Sequence, residues 1–191
     1  MRATRIFVLL LFGAMLVTES SHEGKLFADV LFLAGLILIG IATTGRLWCA
    51  LFISGHKRAS VTTAGPYSIT RNPLYFSSFI GFIGTGLCTE TISFALAFAL
   101  FFYPLYMFTI NQEERYLGAK FGTEFADYCA RTPRFFPNPR LYMEPETWVV
   151  SPGHFRRTMI DAVWFVWLIG VIELVEALHE HGMLGVWVYL P

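Results

Sequence analysis

Gly65-Pro66-Tyr67-Ser68-Ile69-Thr70-Arg71-Asn72-Pro73-Leu74-Tyr75 is a polar stretch, stiffened by two prolines, inside a chain otherwise made mostly of apolar runs. Gly65 permits positive φ, whereas Pro66 and Pro73 hold φ at about −65°. Asn72 precedes a proline and is pushed toward extended backbone. Pro73 suits the first turn of a following helix, with Asn72 as its N-cap. The stretch therefore reads as a rigid loop that leads the chain back into a helix. At membrane depth such a loop is tolerated only where it packs in protein or lines a cavity, because its backbone groups cannot all pair internally.

Working outward, the composition supplies the membrane. Of 191 residues, 55% are hydrophobic and only 15% charged, against roughly 25% charged in a soluble domain. Apolar runs of the ~20 residues that a helical span needs lie near 4–19, 26–53, 74–88, 91–110 and 159–178. The expected fold is all-α, a polytopic membrane helix bundle of about five transmembrane helices with a cytoplasmic amphipathic helix. With no internal repeat, low-complexity tract or linker, residues 1–191 read as a single domain. The first run follows Arg2 and Arg5 and also reads as a secretory signal peptide. No A-x-A-like cleavage site follows it, which favours a retained span. The runs 74–88 and 91–110 are so close together that they form an antiparallel hairpin.

Positive residues are retained on the cytoplasmic side of short loops. With the N-terminus inside, thirteen of the fourteen Lys and Arg fall at cytoplasmic ends and only Lys25 falls outside. The formal net charge of +0 thus hides an asymmetry that reports topology and gives no sign of nucleic-acid binding. The expected location is a bacterial inner membrane, with the N-terminus and the polar segments in the cytoplasm. Cys49, Cys88 and Cys129 form no C-x-x-C pair, so neither a disulfide framework nor a zinc site is indicated.

A second polar segment follows the fourth run. Leu117, Phe121, Phe125 and Tyr128 recur at helical spacing with Glu114, Lys120, Glu124, Asp127 and Arg131 between them, the pattern of an amphipathic helix lying along the membrane surface. It ends at Pro133-Arg134-Phe135-Phe136-Pro137. Most of its charges read as a solvated face. Glu113 is the exception, because the end of the span places it beside the loop carrying Tyr67 and Asn72. In the last run, Glu173, Glu176 and His179 follow one another at i, i+3 and i+6, and an intramembrane carboxylate is by default a functional candidate. Glu176-x-x-His179 is like half of a di-metal carboxylate site, but no second E-x-x-H completes it. Interhelical hydrogen bonding or interfacial exposure is the expected role, and no metal site is expected.

Taken together, the G-x-Y-x-x-x-R-N-P-x-Y loop, the helical hairpin, and Glu113-Glu114 followed by Leu117, Phe121-Gly122, Phe125, Tyr128 and Pro133-Arg134-Phe135 resemble the isoprenylcysteine carboxyl methyltransferases. These are integral membrane methyltransferases, and the likeness covers about residues 55–137. The resemblance implies an S-adenosylmethionine site on the cytoplasmic side. By motif position, the cofactor contacts would come from Ser60, Val61 and Thr62, from Tyr67, Asn72, Pro73, Leu74 and Tyr75, and from Glu113. Loop backbone would hold the amino-acid end, Glu113 would pair with its ammonium, and Tyr faces would favour the sulfonium by roughly 0.5–2 kcal/mol. The implied partners are the lipid bilayer and a lipophilic or lipid-linked acceptor methylated at O, S or N. Two positions depart from the family pattern. Asn72 stands where His is usual, and Thr109 stands where the prenylcysteine enzymes carry a substrate-binding Arg, which counts against a prenylated-cysteine substrate. Two other readings stay open: a nicotinamide-dependent membrane reductase like the sterol reductases, and a non-catalytic membrane scaffold.

Overall fold

Small side chains decide how the helices approach one another. The computed structural model describes residues 13–21, 25–54 and 60–190, with the side chain of His154 excepted. Helix α1 (Leu26–Ile53) carries Gly35, Ile39, Ala42, Arg46 and Cys49 at alternating steps of four and three, which place them along one face. That face packs chiefly against α3 (Pro73–Leu87). A Cβ on Gly35 would meet the Gly84 carbonyl oxygen at 2.7 Å, and one on Gly84 would meet the Gly35 carbonyl oxygen at 2.8 Å. The backbones therefore touch, the close approach through which helices associate in a bilayer, where apolar surface alone gives no preference for protein over lipid.

Between these helices the loop contains a single turn, α2 (Pro66–Ile69). Helix α4 (Ile92–Phe121) returns beside α3 as the expected hairpin partner. The short α5 (Thr123–Arg131) follows, and then a 3₁₀ turn (Pro139–Leu141). The last helix, α6 (Pro152–Glu180), packs on α1 and α3, with Phe165, buried to 2%, at the junction. A small parallel ladder of β1 (Thr18–Ser20) and β2 (Val188–Leu190) pairs Thr18 with Val188 and Ser20 with Leu190.

Among the described residues, three helices are long and apolar enough to cross a membrane: Leu26–Ile53, Ile92–Phe121 and Phe155–Glu180. Pro73–Leu87 is a shorter apolar helix. Exposed Leu33, Ile37, Leu96, Leu100, Trp167 and Leu174 face outward from the bundle, as lipid-facing residues do. The protein is thus an all-α membrane helix bundle.

Some boundaries differ from the sequence expectation. Most of the expected span at 4–19 lies outside the described residues; residues 13–15 are helical and the chain is extended by Thr18. Helix α4 continues to Phe121, so Glu113 and Glu114 lie within it. The expected amphipathic helix is split at Gly122, whose φ of 55° is a left-handed conformation that glycine adopts without steric cost. Replacing Gly84 by Leu is expected to push α1 and α3 apart at a backbone contact, a cost of about 1–3 kcal/mol or more. The check is a lowered midpoint for thermal unfolding in detergent, with Gly153→Leu as the control because no atom lies within 4 Å of a Cβ there.

Candidate functional site

The loop and the chain after α5 are bound to each other along their backbones. Arg71 N–H donates to the Pro133 carbonyl (2.8 Å) and Asn138 N–H to the Ile69 carbonyl (2.8 Å). Thr70 Oγ1 donates to the Phe135 carbonyl (3.1 Å), and Asn72 Nδ2 to the Arg134 carbonyl (2.9 Å). Asn72 precedes α3 as expected, but makes no side-chain cap bond there. Its amide is committed to the Pro-Arg-Phe segment instead. Phe135, buried to 4%, places its ring against Phe76, Phe79 and Tyr103 at centroid distances of 5.6, 5.8 and 5.6 Å. One aromatic plug therefore fixes the segment to both helices of the hairpin.

Charge reinforces this join. Glu114 forms ion pairs with Arg71 Nη1 (3.2 Å) through Oε1 and with Arg134 Nη2 (2.9 Å) through Oε2. Arg134 also donates to Asn111 Oδ1. One carboxylate thus ties loop, helix and tail together. On the other flank, Tyr128 Oη of α5 donates to the Tyr67 carbonyl (2.6 Å), and Gly65 N–H donates to the Met143 carbonyl (2.8 Å). Gly65 has φ 57°, and a Cβ there would lie 2.4 Å from the Phe52 ring, so the position admits no larger residue.

These joins border a half-open cavity of about 460 Å³ between the loop, α3, α4 and α5. Ser60, Val61, Thr62, Tyr67, Asn72, Pro73, Leu74, Tyr75 and Glu113 all line it. The structure brings together every residue singled out from the sequence for cofactor contact. It adds Arg71, Glu114, Gln112, Tyr116, Leu117, Phe125, Tyr128, Thr109 and Ile53. Of these, Glu114 was legible only as half of an acidic pair; the structure divides the pair, with Glu114 holding the arginines and Glu113 facing Tyr75, whose Oη donates to Glu113 Oε2 (2.9 Å).

Tyr67 is buried, and its hydroxyl has no hydrogen-bond partner among the described residues. Burial, reinforced by the nearby Cys49, Tyr128, Glu113 and Tyr75, pushes its phenol well above the ordinary range. Burial likewise pushes Tyr128 up, with Arg71 opposing. Both phenols stay neutral at physiological pH, so Tyr67 keeps a hydroxyl donor buried in the wall of the cavity that the residue lines. A buried polar group without a partner is costly and rare, and a ligand in the cavity is a natural source of its missing bond. The volume falls in the range of small-molecule and cofactor pockets.

Residues 24–124, which carry all nine of the singled-out positions, match the family model for phospholipid methyltransferase. The chain belongs to the phospholipid methyltransferase family. It is 39% identical to the cobalt-zinc-cadmium resistance protein CzcN of Cupriavidus metallidurans over 94% of this chain and 83% of that protein. It is 38% identical to the nickel-cobalt-cadmium resistance protein NccN of Alcaligenes xylosoxydans xylosoxydans over 98% of this chain and 87% of that one. Over 51% of this chain and 50% of the relative, it is 32% identical to protein-S-isoprenylcysteine O-methyltransferase B of Arabidopsis thaliana, in keeping with the isoprenylcysteine methyltransferase-like motifs. No solved structure matches it.

The remaining sequence candidates lie at the far end of the bundle. Glu176 and His179 line a small recess of about 50 Å³ with β1 and the α3–α4 turn, and His179 Nε2 is hydrogen-bonded to the Leu16 carbonyl (3.0 Å). Glu173 is exposed. Among the described residues, no three His, Cys, Asp or Glu side chains form a group able to hold a metal ion.

Glu114→Gln leaves Arg71 and Arg134 facing each other without their shared carboxylate. It is expected to cost about 1–3 kcal/mol, between an exposed ion pair and hydrogen bonds to charged groups. The measurement is thermal unfolding in detergent, which should fall for Glu114→Gln and stay near wild type for Glu124→Gln on the exposed side of α5.

Proposed function

We propose that the protein is an S-adenosylmethionine-dependent membrane methyltransferase acting on a lipophilic or lipid-linked acceptor at O, S or N. The observation that carries this reading is the convergence of three separate segments, 60–62, 67–75 and Glu113, on one cavity that contains an unpartnered buried hydroxyl. Bound there, S-adenosylmethionine supplies a methyl group on a cationic sulfur. Glu113, oriented by Tyr75, takes the ammonium of its amino-acid end. Tyr67 donates its hydroxyl and, with Tyr75, turns an aromatic face to the cation, while Val61 and Leu74 offer apolar surface to the base.

In the transfer, the acceptor's nucleophilic atom bonds to the methyl carbon as the sulfur–carbon bond breaks, and that electron pair returns to sulfur. An O, N or S acceptor bearing a proton would lose it to the solvent outside the site; a carboxylate has none to lose. The chain contributes position and exclusion of water, and holding reacting atoms at near-attack distance supplies roughly 7–11 kcal/mol. The positive-residue asymmetry supports a cytoplasmic cavity, and the two bacterial relatives support a bacterial inner membrane. Their names add a setting: a role in tolerance of transition-metal cations, exerted through methylation of a membrane component.

S-adenosylhomocysteine should bind the detergent-purified protein in calorimetry; no binding at about 100 μM overturns the reading. Tyr67→Phe is expected to weaken that binding roughly 10-fold, the loss of one hydrogen bond of about 1.4 kcal/mol. Because the substitution removes an unsatisfied buried group, the ligand-free unfolding temperature should stay level or rise. Glu113→Gln should weaken binding at least as much, and in a host sensitized to cobalt, zinc or cadmium it should fail to restore the tolerance that the wild-type chain restores.

A further inference from the structure

A second cavity, of about 400 Å³, lies deeper in the bundle between α1, α3, α4 and α6. At its inner wall is Arg46, seven residues before the end of α1 at Ile53, or ~10 Å along the helix axis. The sequence reading counted Arg46 only as one of the positive residues at the cytoplasmic ends. The structure places it on the buried stripe of α1, donating from Nη1 to Ser78 Oγ and from Nη2 to the Asp161 carbonyl (3.0 Å). Its guanidinium also lies 5.7 Å from the centroid of the Phe165 ring. Its Nε is buried without a hydrogen-bond partner, and among the described residues no carboxylate forms an ion pair with it. Asp161 also borders the cavity, but is exposed at the rim. An arginine at membrane depth without a carboxylate is expensive to keep and points to a function.

Two further features say what the cavity is for. Its outer wall is apolar and open: Trp167 is 73% exposed and Trp164 52%, so a hydrocarbon chain reaches it from the bilayer. Its other side adjoins the larger cavity. Tyr106 lines the deeper one and Tyr75 the larger one, with ring centroids 5.3 Å apart. The Tyr75–Tyr106 ring contact thus links the wall of the larger cavity to that of the Arg46 chamber.

We propose that the deeper cavity is the acceptor site, and that Arg46 is a specificity-determining residue holding an oxyanion, carboxylate or phosphate, of an amphiphile that enters from the bilayer. The inference rests on the methyltransferase reading. A planar guanidinium suits this task because it pairs with an oxyanion through two parallel hydrogen bonds.

The test titrates protein in nonionic detergent with decanoate, decyl phosphate and decanol, read by tryptophan fluorescence, and S-adenosylhomocysteine by calorimetry on the same samples. Decanoate, decyl phosphate or both should bind at least 10-fold more tightly than decanol, and whichever is preferred identifies the oxyanion. Arg46→Gln should erase that margin without changing affinity for S-adenosylhomocysteine, and Arg46→Lys should restore part of it. Equal binding of all three amphiphiles to the wild-type chain overturns the proposal without need of a variant, as does a margin that survives in Arg46→Gln. If S-adenosylhomocysteine binds while the margin is absent, the Arg46 assignment alone falls. If it does not bind, the methyltransferase reading falls and the acceptor role with it.

Discussion

Four hydrogen bonds between residues 69–72 and 133–138, closed over by Glu114 between two arginines, are the constraint on which the site depends. They join segments separated by more than sixty residues, with the hairpin and α5 lying between them in the chain. They satisfy loop backbone groups that would otherwise be buried without partners. The prolines serve the same end, since a loop with little freedom to lose gives up less entropy on being captured. Phe135 makes the join apolar as well as polar. The cavity is thus a by-product of how the loop is held.

Much of this was legible in the residues themselves. The apolar runs gave α1, the hairpin and α6, and the prolines with Gly65 marked a loop that could not be lipid-exposed. All nine positions expected to surround a cofactor line one cavity. Glu113 shares that cavity with the loop, a juxtaposition legible because a span's end and a loop's return are local features that can be read from a short window. Asn72 takes the expected N-cap position, but the partner of its side chain was not legible, for the opposite reason. A residue before Pro73 has the local signature of an N-cap, yet its amide is recruited by a carbonyl 62 positions away, and nothing local announces that.

Arg46, Glu114 and Gly122 were harder to read because each is decided by its neighbours in space. Positive charge near a span's end ordinarily marks topology, and only the packing of α1 on α3 turns Arg46 inward. Glu113 and Glu114 look alike in sequence, but adjacent helical residues point about 100° apart, so one meets the loop arginines and the other Tyr75. The periodicity through Leu117, Phe121, Phe125 and Tyr128 is real, yet Gly122 breaks the helix and lets α5 fold back until Tyr128 reaches the loop. The β1–β2 ladder had no sequence signal, because three-residue strands are too short to show a period.

That ladder carries a practical consequence. It joins Ser20 to Leu190 at the end of the bundle where α1 begins and α6 finishes, whereas the large cavity lies where α1 finishes and α6 begins. A reporter protein appended after residue 190 would therefore be displayed across the bilayer from the large cavity, and its compartment would disclose, by inversion, which aqueous phase feeds that cavity.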